Sequence, residues 1–126
     1  MKKLLILLFF IIFSSTSFAD WKLIGKKDNG DQFYFDTERI RQVDGDIYFW
    51  KLWNGSAPDK DGDLSYTSYM QGDCTIFRER YLSLSYHKGP MGTGSNQSGK
   101  FDSNWVYPSP NTWTEFNLKT VCNYLK

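Results

Sequence analysis

The chain has 126 residues, with 15 Lys+Arg against 14 Asp+Glu and one histidine. This near-balance, which becomes 13 against 14 once Lys2 and Lys3 are set aside, argues against an affinity built on neutralising phosphates, so no nucleic-acid partner is expected. Two cysteines without a Cys-x-x-Cys spacing, and a single histidine, leave thiol–disulfide exchange and a histidine-built metal centre without the residues they need.

Met1-Lys2-Lys3 is a short positive segment, and Leu4 to Phe13 is an unbroken apolar run. Ser17-Phe18-Ala19 places small residues where a signal peptidase reads them, which predicts cleavage before Asp20. The apolar run is too short to cross a bilayer, which takes about 20 residues, so no membrane span is expected after cleavage. Residues 1–19 contain no cysteine to carry a lipid anchor. The expectation is an exported protein, in the periplasm, at the cell surface or secreted, whose residues 20–126 form one domain. In an oxidising compartment two cysteines predict one bridge, Cys74–Cys122, which closes a long loop and contributes about 4 kcal/mol in the chain-entropy description.

Trp21 to Gly25 reads as a strand, Asn29-Gly30 as a turn signal and Gln32 to Asp36 as the returning strand. Thr37 to Val43 fits either a short strand or an irregular crossing. Asp44-Gly45 marks a turn into a strand over Ile47 to Asn54. Gly55 to Asp63 is a polar loop, and Leu64 to Gln71 alternates as a strand. Gly72-Asp73 reads as a turn into a long strand over Asp73–Tyr86, rich in β-formers and carrying Cys74, the strand to which the rest is tied. Lys88 to Lys100 is a Gly-rich loop, and Phe101 to Tyr107 reads as one more short strand around Trp105.

The period then changes. Thr112, three residues before Glu115, is a capping box, and Trp113, Phe116, Leu118, Val121, Cys122 and Leu125 recur at helical spacing. Strands in meander order before one terminal helix predict an α+β fold: a single antiparallel sheet of about five to six strands, one C-terminal helix and one disulfide.

Several motifs are near-misses. Gly94 to Lys100 approaches a P-loop, but Phe101 stands where a magnesium-binding hydroxyl is required. Asp59, Asp61 and Asp63 resemble the start of a calcium loop, but Leu64 and Met70 replace the glycine and the closing glutamate, so no metal is expected. His87 with Ser83 or Ser85 lacks a nucleophile elbow. Asp36, Asp73 and Glu79 are read as turn and strand-end carboxylates rather than an acid–base pair. No catalytic residue and no cofactor is assigned.

Ile47 to Trp53 is apolar on both faces, although a sheet with a helix on one side only should be polar on the other. Some loop, partner or second copy therefore covers the second face.

The ordered set Tyr34-x-Asp36, Trp50-x-Leu52, Asp73-Cys74 before an Arg-bearing strand, Tyr86, Gly89-Pro90-Met91-Gly92-x-Gly94, Trp105, and Pro110-Asn111-Thr112-x-x-Glu115 leading to Val121-Cys122 is similar to the bacterial surface-adhesin protein E family. The resemblance implies a small antiparallel sheet backed by the C-terminal helix, a disulfide clamp and a tendency to form a homodimer. Its founding member is an outer-membrane lipoprotein that binds host matrix and plasma proteins such as vitronectin and laminin. This chain departs from it in lacking the lipid-anchor cysteine.

The expected function is an exported, non-enzymatic module for a protein partner. The alternatives are a periplasmic protein that binds or inhibits another envelope protein and, behind it, a small envelope hydrolase. The match to Trp50-x-Leu52 places those two under the helix. Phe49, Trp53, Phe77 and Tyr81 then lie on the outer face as anchors for a partner or a second copy, unless the loop from Gly55 or the one from Lys88 folds over them.

Overall fold

The computed structural model describes residues 19–124; residues 1–18 of the expected leader, 1–19, and the helical position Leu125 lie outside them. The strands are β1 (Trp21–Lys26), β2 (Gln32–Asp36), β3 (Arg41–Val43), β4 (Asp46–Asn54), β5 (Ser65–Asp73), β6 (Arg78–His87) and β7 (Asn96–Ser98), followed by the helix α1 (Trp113–Tyr124). They form one antiparallel sheet in the order β1-β2-β4-β5-β6-β7, with β3 pairing the far end of β4. The seventh strand comes from the segment read as a Gly-rich loop, where Asn96–Ser98 adds an edge to β6.

Turn chemistry accounts for the hairpins. Asp44 and Gly45 both take positive φ, 52° and 86°, the backbone a two-residue hairpin loop requires. Between β1 and β2, Asn29 Oδ1 accepts the Asp31 amide at 2.9 Å. Around Trp105 the expected strand shrinks to an isolated bridge, Val106 against Glu79.

The long strand expected over Asp73–Tyr86 is divided. Gly72 and Asp73 belong to β5, and Cys74 to Phe77 form a turn. Asp73 builds that turn: its carboxylate accepts the amides of Thr75 at 3.0 Å and Ile76 at 3.1 Å, and its carbonyl accepts the Phe77 amide at 2.8 Å. Phe77 closes it with φ 67°. Hydrogen bonds to an aspartate thus outweigh the strand propensity of the sequence that follows.

Thr112 caps α1 as read, while Glu115 reaches back one residue beyond the cap, to Asn111. Thr112 Oγ1 accepts the Glu115 amide and Glu115 Oε1 accepts the Asn111 amide, both at 3.2 Å. Leu118 and Val121 are fully buried, and with Phe35, Ile47, Phe49 and Met70 they form the core between helix and sheet. Phe116 stays 44% exposed and packs edge-on against Trp113 instead of facing the core. Cys74 and Cys122 are bridged, with Cα atoms 5.8 Å apart, and join the β5–β6 turn to the last turn of α1.

Candidate functional site

The face assignments within β4 reverse the expectation. Phe49, expected outside, is 1% exposed and sits under the helix beside Ile47. Trp50 and Leu52, expected under the helix, point the other way. Strand alternation fixes these two sets once Ile47 and Phe49 are in the core. Trp53 shares the helix side, stacking on Tyr66 with centroids 4.4 Å apart and donating its indole N–H to Asp31 at 3.1 Å. Phe77 packs against the core from the turn, and so does Tyr81 from β6. The turn at Cys74–Phe77 resets the parity of β6, and a bulge leaves Leu82 unpaired between Tyr81↔Met70 and Ser83↔Tyr69. Of the four anchors proposed from sequence, none lies on the open face.

That face carries a different set of aromatics. The Tyr69 ring lies 5.0 Å from that of Trp50 and 6.3 Å from that of Tyr48, centroid to centroid. Tyr34, on the neighbouring strand β2, pairs with Leu52. All four are half-buried. Arg41 of β3 donates to the Tyr69 hydroxyl at 3.2 Å.

Two features border this patch. At one end the turn Pro90–Gly92 folds over the sheet, its Met91 amide donating to Asn54 Oδ1 at 2.8 Å and its Gly92 amide to Ser65 Oγ at 2.9 Å, so that Leu52 is only 1% exposed. The Gly-rich loop therefore does cover part of the second face. At the other end the guanidinium groups of Arg78 and Arg80 lie 4.1 and 4.6 Å from the Trp105 ring. Arg80 also donates to Gln71 Oε1 at 2.8 Å, and Gln71 Nε2 donates to Asp46 at 2.7 Å. Such stacked, hydrogen-bonded arginines are held in place before any partner arrives.

Of the groups considered for chemistry, His87, Glu79, Asp73 and Asp36 are each held by at least one structural partner. His87 is 7% exposed, its Nε2 lies 2.8 Å from Thr67 Oγ1, and burial lowers its pKa against the opposing pull of Asp63. Glu79 pairs with Lys51 at 3.4 Å, and Asp73 with Arg78 at 3.1 Å. Asp36 accepts the Glu38 amide at 2.9 Å.

Asp59, Asp61 and Asp63 do gather, their carboxylate oxygens within 4.8 Å of one another. Asp59 already accepts the amides of Asp61 and Asp63 and the hydroxyl of Tyr66. The Tyr66 hydrogen bond leads in holding Asp59 below the usual carboxylate range. The Lys88 ammonium lies 3.0 Å from Asp63 and 2.7 Å from the Asp61 carbonyl, so a protein cation is already present in the loop. No helix among the described residues is long and apolar enough to cross a membrane.

The fold and this face define a class: a small module of one antiparallel sheet, clamped on one side by a disulfide to its C-terminal helix and, among the described residues, without a helix on the other. The family model for surface-adhesin protein E matches residues 21–123, and the chain belongs to that family. Three crystal structures of Haemophilus influenzae protein E share the fold. Crystal form II has a TM-score of 0.67 at 18% identity, covering 88% of this chain and 94% of that one. The selenomethionine form gives 0.63 at 15%, covering 86% and 89%. Protein E from a non-typeable strain gives 0.60 at 16%, covering 87% and 80%. No curated protein matches the sequence.

Proposed function

We propose that the protein is an exported, non-enzymatic adhesin-type module that takes a protein partner on its open sheet face. The observation that carries this reading is the half-buried cluster of Tyr48, Trp50 and Tyr69, with the exposed Arg41 beside it, on a face that no helix among the described residues covers. Aromatic and arginine side chains of this kind supply most of the energy at protein interfaces. Membership in the surface-adhesin family supports a surface address and a host matrix or plasma protein as the partner class. The same surface also serves the homodimer that the family resemblance implies.

The test is a double substitution, Trp50→Ala with Tyr69→Ala, in the mature chain. Binding to immobilised vitronectin and laminin is followed by surface plasmon resonance, the oligomeric state by sedimentation, and the fold by circular dichroism. Lost binding or a smaller species with an unchanged fold supports the reading. Unchanged binding and unchanged mass would overturn it. Fractionation of the source cells separates an adhesin from a periplasmic partner protein, because adhesion requires surface exposure.

A further inference from the structure

On the opposite face of the sheet, the helix leaves a gap. α1 lies along the β1–β2 side, where Trp113 rests against Gly25 and stacks on Phe33, centroids 5.0 Å apart. β6 stands on the far side with Tyr81. Between them, floored by β4 and β5, is a cleft of about 340 Å³. Its walls are aromatic: Phe33 and Trp113 on one side, Tyr81 on the other, Trp53 and Tyr66 on the floor. That volume and lining match a small-ligand site, which is mainly apolar with a few placed polar groups.

The polar groups narrow the ligand. Lys51 lines the cleft with its charge balanced by Glu79, 3.4 Å away, so the pair attracts neither an anion nor a cation strongly. Its ammonium also lies 5.2 Å from the Tyr81 ring centroid, which leaves N–H groups unspent. Glu79 lies outside the cleft lining, and its buried Oε2 accepts no hydrogen bond among the described residues. Neither does Oδ1 of Asn117, a residue 6% exposed that lines the cleft from α1. Buried acceptors without donors cost free energy that a ligand can return. At the cleft the Lys51 N–H groups need acceptors, while the Asn117 oxygen needs a donor. A carboxylate answers only the first need and an amine only the second. A hydroxyl answers both, and a sugar ring adds C–H faces that lie against aromatic walls.

We propose that this cleft binds a neutral saccharide unit, with its hydroxyls between Lys51 and Asn117 and its ring face against the surrounding aromatics. This site is distinct from the open-face cluster and does not rest on it.

The probes are the methyl glycosides of glucose, galactose, mannose and N-acetylglucosamine, titrated into the disulfide-intact mature chain. The readout is the indole N–H resonances in ¹H–¹⁵N spectra, assigned by single Trp→Phe substitutions. At least one glycoside is expected to shift Trp53 and Trp113 saturably and leave Trp50 unmoved. Asn117→Leu removes the orphaned acceptor at similar size and is expected to weaken that binding about tenfold or more, with the unfolding midpoint kept or raised. Tyr81→Leu, which strips one wall, serves if Asn117→Leu fails to fold, and a comparable loss is expected. No saturable shift with any glycoside overturns the proposal. So does binding that survives the variant, or a response to benzoate or benzylamine instead of the sugars. The Trp50→Ala, Tyr69→Ala double variant should titrate like the parent chain, so failure here and failure of the open-face reading are told apart.

Discussion

Leu118 of the helix sits directly over Gly72 of β5: a Cβ built on that glycine would lie 3.1 Å from Leu118 Cδ1 and 2.9 Å from Ile47 Cγ2. The missing side chain lets the helix approach the sheet at the centre of the core, with Phe49 closing the third side. Gly72→Val must push these neighbours apart in a fully packed interior. The expected loss is about 1–3 kcal/mol, read from urea unfolding followed by tryptophan fluorescence. Gly45→Ala has nothing within 4 Å of its Cβ, but its φ of 86° disfavours any side chain, so it tests turn strain separately from packing.

The Cys74–Cys122 bridge ties the β5–β6 turn to the end of α1 across 48 positions of sequence. Cys74→Ser with Cys122→Ser should lower stability by about 2–4 kcal/mol without altering the pairing of β4 with β5. Mass spectrometry of alkylated, non-reduced parent protein should show no free thiol. Hydrogen exchange should localise the loosening in the double variant to α1 and the Cys74–Phe77 turn.

Lys51 and Glu79 form an ion pair on the helix side of the sheet, with side chains 19% and 4% exposed. Lys51→Met alone leaves the buried Glu79 carboxylate uncompensated and should cost about 3 kcal/mol. Glu79→Gln added to it removes that charge, so the double variant should recover most of the loss. A double-mutant cycle of urea midpoints measures the coupling.

The Asp73 carboxylate is held below the usual range, first by the Ile76 amide, then by Arg78 and the Thr75 amide, against the opposing effect of desolvation. A group whose pKa is depressed on folding contributes stability that is present above its unfolded pKa, near 3.9 for aspartate, and is lost as pH falls through the folded value. Thermal midpoints of the parent should therefore fall on acidification below about pH 4. The same titration of Asp73→Asn should be flatter there and start from a lower midpoint. A parallel slope in the two proteins would assign the acid sensitivity elsewhere.

Local chemistry was legible without a structure. The Asp44-Gly45 turn, the Thr112–Glu115 cap, the cysteine pair and the change of period before α1 each depend on residues close in sequence or on simple counting, so the class of fold followed from them. Tertiary packing decided which face of each strand the helix covers. In β4 both alternating sets are apolar, and Lys51 on the helix side obscured the choice because its partner, Glu79, comes from another strand. In β6 the turn that Asp73 builds shifted the parity that places Tyr81, Arg78 and Arg80. A strand's pattern states that its neighbours alternate; only the core it joins determines which set turns inward. For that reason the open face of Tyr48, Trp50 and Tyr69, and the cleft beside Asn117, emerged only once helix and sheet were packed together.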